Sequence, residues 1–285
     1  MVRIICRIKP PQMDNIKIEE NDKIFLYKKD KNLLDNTILK PYEFRLNKIY
    51  DYDSSTKDIY NEEIEFNIEN NFNLGLFIYG HTGSGKTFTL FGDSDNNGIF
   101  DFICSSLNYE FDIDVINLTH SGNYDLLNKN KIYIYAKNEE IHSTVEKVVV
   151  TEKNYNDIRN KIYLSRITGV SKLNDNSSRS HLIINIYNKK NNCTYTIVDL
   201  AGNERKPKLF DKVNEQETTY INSSLLALKE CYRSYGKPYM PYRRSDLTRL
   251  LKNIILKKNL IICTIHSGFP YFYDSIDTLN YIYSL

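Results

Sequence analysis

The chain has 285 residues, 41% hydrophobic and 26% charged, with a formal net charge of +2, a balance that excludes a disordered polymer and fits a folded domain. No apolar run approaches the eighteen or so residues of a bilayer span, and so mild a net charge does not advertise nucleic-acid binding. Five cysteines without a CxxC pair favour neither a disulfide framework nor a zinc site, and the opening MVRIICRIKPPQ lacks the apolar core and cleavage site of a secretory signal, so a reducing cytoplasm is expected.

In chain order, alternation and β-branched enrichment predict a strand at Val2–Ile8 and a fully apolar one at Leu74–Tyr79. Residues 80 to 87 follow as GHTGSGKT (Gly80, His81, Thr82, Gly83, Ser84, Gly85, Lys86, Thr87), satisfying G-x-x-x-x-G-K-[ST] directly after a strand. The glycines allow backbone N–H groups to face phosphate oxygens, Lys86 offers a point charge to the β and γ phosphates, and Thr87 a hydroxyl to Mg²⁺. The helix begun at Lys86 is interrupted by FGDSDNNG, and a helical pattern resumes over Ile99–Leu107. Strands are then predicted at Phe111–Leu118 and Lys131–Tyr135, and a helix at Tyr155–Leu164.

Leu173 to His181 reads LNDNSSRSH, short polar side chains before a strand at Leu182–Tyr187; alone it reads equally as an ordinary loop. Tyr195 to Glu204 reads YTIVDLAGNE, an apolar strand ending in an acid that can hold Mg²⁺ through water (Asp199), then a glycine (Gly202) whose N–H can approach a γ-phosphate. Helical spacing returns at Ile221–Tyr235 and Ser245–Ile255, followed by a strand at Leu260–Ile265 and a last helix in TLNYIYSL. No repeat or linker-like stretch divides the chain, so residues 1–285 read as one domain, and interleaved strands and helices predict an α/β sandwich around a central sheet.

FIYGHTGSGKTFTLFG, with its interrupted helix, resembles the kinesin pattern around the phosphate loop. Asn174, Ser177, Ser178, Arg179, Ser180 and His181 complete N-x-x-S-S-R-S-H, similar to kinesin switch I, and Asp199 to Glu204 matches DLAG-x-E of switch II. CRIKP resembles the adenine-site R-x-R-P, with Arg7 and Pro10 retained and Lys9 in place of an arginine, which loses planar stacking. Phe88 reads equally as an edge for the base or as core.

The resemblance implies a P-loop NTPase of kinesin type, with a central, mostly parallel mixed β-sheet flanked by helices on both faces. It implies ATP/ADP as ligand, with Asn174 among its contacts, and Mg²⁺ held by Thr87, Ser178 and, through water, Asp199. Water positioning falls to Ser177 and Ser178 with an Arg179–Glu204 ion pair closing the switches. INSSLLALKEC and MPYRRSDLTRLL resemble the microtubule-facing segments, where Lys237, Arg243, Arg244 and Arg249 would supply positive charge; taken alone, such residues read as a solvated face. Arg244 and Asp246 stand where the family usually has an acid then a lysine.

VDLAGNER followed by SLLALKEC is most similar to the kinesin-13 class, which depolymerises microtubule ends, and Lys28, Lys29 and Asp30 lie where that class carries a charged loop. The resemblance runs from Val2 to Tyr283 in a chain shorter than usual for such motors. No heptad run follows it, so a monomeric motor at cytoplasmic microtubules, with no membrane or nucleic-acid partner, is expected. The alternatives are a translocating kinesin, a microtubule-binding module with weakened ATPase coupling, and an unrelated P-loop enzyme.

Overall fold

The computed structural model describes residues 2–10, 15–28, 41–167, 179–202 and 212–285, with side chains from 215 in the last stretch. In chain order the strands and helices are β1 (Val2–Lys9), β2 (Ile16–Glu19), β3 (Lys23–Leu26), β4 (Tyr42–Arg45), β5 (Lys48–Tyr50), α1 (Thr56–Glu63), α2 (Glu65–Glu69), β6 (Leu74–Tyr79), α3 (Lys86–Phe91) and α4 (Ile99–Ser106). Next come β7 (Phe111–Thr119), β8 (Gly122–Asp125), β9 (Ile134–Lys137), β10 (Glu140–Ser143), β11 (Val148–Val150), α5 (Tyr155–Ile167), β12 (His181–Asn188) and β13 (Cys193–Asp199). The chain closes with α6 (Lys212–Arg233), α7 (Asp246–Leu250), α8 (Lys252–Ile255), β14 (Asn259–His266) and α9 (Phe272–Tyr283).

The main sheet runs β11-β7-β12-β13-β6-β14-β1-β5, with β8 added on β7. Its centre, from β13 to β5, is parallel, while β12 and the strands beyond it pair antiparallel. Successive side chains of a strand face opposite layers, and the two cores follow that alternation: Leu74, Leu76 and Ile78 pack with α1, α4 and α5, whereas Phe77 and Tyr79 pack with α6 and α9. β6 is therefore buried on both faces, as its unbroken apolar run LGLFIY requires. Its two neighbours, β13 and β14, both come more than a hundred residues later in the chain, which makes the end of β6 a switch point where an α/β sheet opens a crevice.

The strands predicted along the main sheet appear within two residues of their expected ends. Three other readings need correction. The strand expected at Lys131–Tyr135 begins at Ile134 and belongs to a β9–β10 hairpin. The helix expected from Ile221 starts at Lys212. The helix expected over Ser245–Ile255 breaks at buried Leu251 (φ −89°, ψ 3°) into α7 and α8. Among the described residues no helix is long and apolar enough to cross a membrane.

Candidate functional site

From Tyr79 the chain turns through Gly83 and Gly85, both in left-handed backbone (φ 84° and 105°), where a side chain would be strained. Gly80 meets a different demand. A Cβ there would lie 2.3 Å from the carbonyl oxygen of Thr264, so the loop presses on β14 with no room for a methyl group. The buried hydroxyls of Ser84 and Thr264, 2.6 Å apart, tie the two together. His81, also buried, stacks on Tyr271 with ring centroids 5.4 Å apart. The loop is thus braced by β14 and by the turn that leads into α9. Thr264→Val leaves Ser84 without that partner and is expected to raise the KM for nucleotide about tenfold, whereas Thr264→Ser preserves it; steady-state kinetics on the two variants check this.

The loop borders a cleft of about 1220 Å³ lined by Pro10, Tyr52, Lys57, Gly83 to Phe88 and Asn97, large enough for a nucleotide. Inside it, Lys86 Nζ donates to the carbonyls of Gly80 (2.6 Å) and His81 (3.1 Å). Thr87 lines the same cleft. Phe88 does so with 37% of its surface exposed, which places it in the pocket wall and not in the core. Arg7 lies beneath, its guanidinium 5.0 Å from the Phe88 ring and its Nη1 donating to Thr56 and Thr89. Burial pulls its pKa down to about 10, still charged at neutral pH, so Arg7 holds the wall of the pocket together. Lys9 Nζ donates to Gly83 O at 2.8 Å, fastening β1 to the phosphate loop.

β13 runs parallel to β6 with Asp199 opposite Ile78, which sets the acid one strand away from the phosphate loop. Both carboxylate oxygens are buried, and neither accepts a hydrogen bond among the described residues. Arg166 Nε lies 2.8 Å from Oδ2, an ion pair in distance without hydrogen-bond alignment. Arg166 also lines the cleft, and its Nη1 donates to the carbonyl and hydroxyl of Ser180. An acid with free lone pairs one strand from Lys86 and Thr87 fits a hard divalent cation. In the sequence Arg166 is one arginine in the last turn of a helix and carries no signal of its own.

His181 is fully buried. Its Nδ1 accepts from the Ala201 N–H (3.1 Å), which leaves Nε2 to donate to Ser224 Oγ (2.7 Å) on α6. One ring therefore joins the start of β12, the turn after β13 and the long helix. Gly202, next to Ala201, is buried. Burial, then the Arg166 charge, lowers the His181 pKa to about 3. The unfolded histidine binds a proton near 6.5 and the native one does not, so its contribution is complete above that pH and is lost as pH falls toward 3. Between pH 8 and 5 this removes about 2 kcal/mol, measurable as a steeper loss of urea stability than in His181→Gln.

Arg179 Nη1 lies 2.5 Å from Glu217 Oε2 on α6, a partner not expected from the sequence. Glu204, expected to pair with Arg179, lies outside the described residues, as do Asn174, Ser177, Ser178, Lys29 and Asp30. Of the four basic residues on the α6–α8 side, two have their charge paired within the chain. Arg244 bonds Glu230, while Arg249 bonds Asp246 (3.0 Å) and the carbonyl of Ile134 (3.1 Å). Lys237 and Arg243 are exposed without an ion pair among the described residues.

The model of the kinesin motor domain family matches residues 7–284. The human kinesin-like protein KIF24 is 26% identical over 98% of this chain and 23% of its own length. The tobacco kinesin-like protein NACK2 is 29% identical over 87% of this chain and 29% of its own. The chain thus spans less than a third of these relatives. Among solved structures, the motor domain of a Kar3-like kinesin from Ashbya gossypii superposes with a TM-score of 0.76 at 26% identity, covering 99% of this chain and 98% of that one. A KIF14 motor in complex with ADP and a microtubule shares the fold, with a TM-score of 0.80 at 22% identity over 99% of this chain and 93% of its own.

Proposed function

Since the chain belongs to the kinesin motor domain family, we propose that it is a microtubule-stimulated ATP hydrolase, a single motor unit acting at cytoplasmic microtubules. The observation that carries this reading is the nucleotide-sized cleft with Lys86 and Thr87 on one wall and the buried Asp199 one strand away. Gly80 to Thr87 hold the phosphates, Phe88, Lys9 and Pro10 border the base, and Arg7 supports that border. Mg²⁺ neutralises charge on the phosphates when bound, with Thr87, Ser178 and, through water, Asp199 as its ligands. Asn174 contacts the nucleotide.

Hydrolysis needs a positioned water and stabilised charge more than covalent chemistry. The hydroxyls of Ser177 and Ser178 orient the water, while Lys86 and the Gly202 N–H face the transferred phosphoryl group. Arg179 and Glu204 close the two switches. Because Arg179 bonds Glu217 and His181 bonds Ser224, movement of either switch is transmitted directly to α6. That helix and the α7–α8 segment form the track-facing surface, with Lys237 and Arg243 as cations that have no ion pair among the described residues and Arg244 and Arg249 as paired ones.

For the activity on the track, the DLAGNER and SLLALKEC segments favour depolymerisation of kinesin-13 type. Phosphate release with and without microtubules, recorded while stabilised filaments are imaged, tests it: ATP-dependent shortening from filament ends is expected. Filament gliding without end loss would assign translocation, and binding with unchanged turnover would assign a module with weakened coupling.

A further inference from the structure

The sheet face that packs against α6 and α9 is apolar near the phosphate loop, with Phe77, Ile116, Ile183 and Val198. Two residues further along the same strands, away from the loop, it turns polar: Asp114, Asn185 and Thr196 occupy the corresponding positions. A covered sheet face is normally apolar, because an unpaired buried polar group is costly. Here the α7–α8 segment and the β10 edge stand off the sheet and leave a cavity of about 550 Å³, within the range of small-molecule sites.

Asp114 lines this cavity and is only 2% exposed. Its Oδ1 accepts from Asn185 Nδ2 (2.8 Å) and its Oδ2 from the Tyr187 hydroxyl (2.7 Å), while Thr196 Oγ1 donates to Asn185 Oδ1 (2.8 Å). Each donor is neutral, and each carboxylate oxygen keeps further acceptor capacity. No ion pair reaches Asp114 among the described residues. Burial leaves the carboxyl pKa raised, against the hydrogen bonds from Tyr187 and Asn185 and the through-space charge of Lys147, which lower it. The ammonium of Lys147, which also lines the cavity, sits on the Tyr187 ring instead, 3.5 Å from its centroid, so a cation is already held on this aromatic face.

The geometry points to this cavity as a binding site for a small organic cation with a planar amidinium or guanidinium head, received by the Asp114 carboxylate through paired N–H donors. The site is distinct from the nucleotide cleft and shares no lining residue with it. An occupant would sit between the sheet and the segment that bears Arg249, and so beneath the surface assigned above to the track.

The test uses benzamidine as the cation and benzamide as its neutral isostere, titrated into the full chain by amide-resolved NMR without nucleotide or microtubules. Saturable benzamidine shifts centred on Asp114, Asn185 and Tyr187 are expected, with benzamide and Asp114→Asn each weakening binding at least about tenfold. Asn253→Phe, at an exposed position on the cavity mouth, must weaken it as well, so the proposal stays testable if Asp114→Asn fails to fold. Absence of saturable binding, equal affinity for benzamide, or undiminished binding in the variant that folds would overturn it.

Discussion

Replacing Lys86 by alanine is expected to cut ATP turnover by about 10² to 10³-fold, the usual cost of removing one preorganised charge from a transition state. Lys86 is 7% exposed and holds its ammonium against the carbonyls of Gly80 and His81. Those two carbonyls aim the ammonium along the loop that borders the cleft, where a phosphate would enter. Arginine should not restore the rate, because a planar fork cannot take the place of a compact ammonium within this tight loop. Single-turnover phosphate release decides the matter, and a variant within threefold of the original rate would remove Lys86 from the site.

The phosphate loop was legible because its pattern is local: an apolar strand, glycines where left-handed backbone is needed, and a helix that stops at Gly92. The switch strands were legible for the same reason, since β12 and β13 are short runs rich in β-branched and aromatic residues. What was not legible depends on partners distant in sequence. The first turns of α6, KVNEQETTY, lack apolar spacing, yet they are helical and include the buried Glu217 that meets Arg179. The break at Leu251 has no glycine or proline to announce it. Arg7 matched a motif for the base, but Thr56 and Thr89, from two different helical segments, determine where its guanidinium goes. Arg244 reads as free charge in sequence because Glu230 meets it only in the fold, whereas Asp246, the partner of Arg249, lies three residues away on the same helix.

Arg166 yields the largest expected stability effect. It and Asp199 form a buried pair, their side chains 3% and 0% exposed. Arg166→Met removes one partner and leaves a buried carboxylate without its cation, which costs about 3–5 kcal/mol and for a chain of this size lowers Tm by roughly 10 °C. Asp199→Asn added to Arg166→Met removes the stranded charge, so the double variant should recover most of the loss, giving a large coupling term in the cycle. Activity should not return with stability, because Asp199 is the acid assigned above to the metal, one strand from the phosphate loop. Thermal melts with and without Mg²⁺ separate the two roles of that acid. In Arg166→Met the ion should raise Tm more than in the parent, since the carboxylate then has no competing cation, and in the double variant the gain should vanish. Equal Mg²⁺ responses in all three proteins would mean that Asp199 does not address the metal.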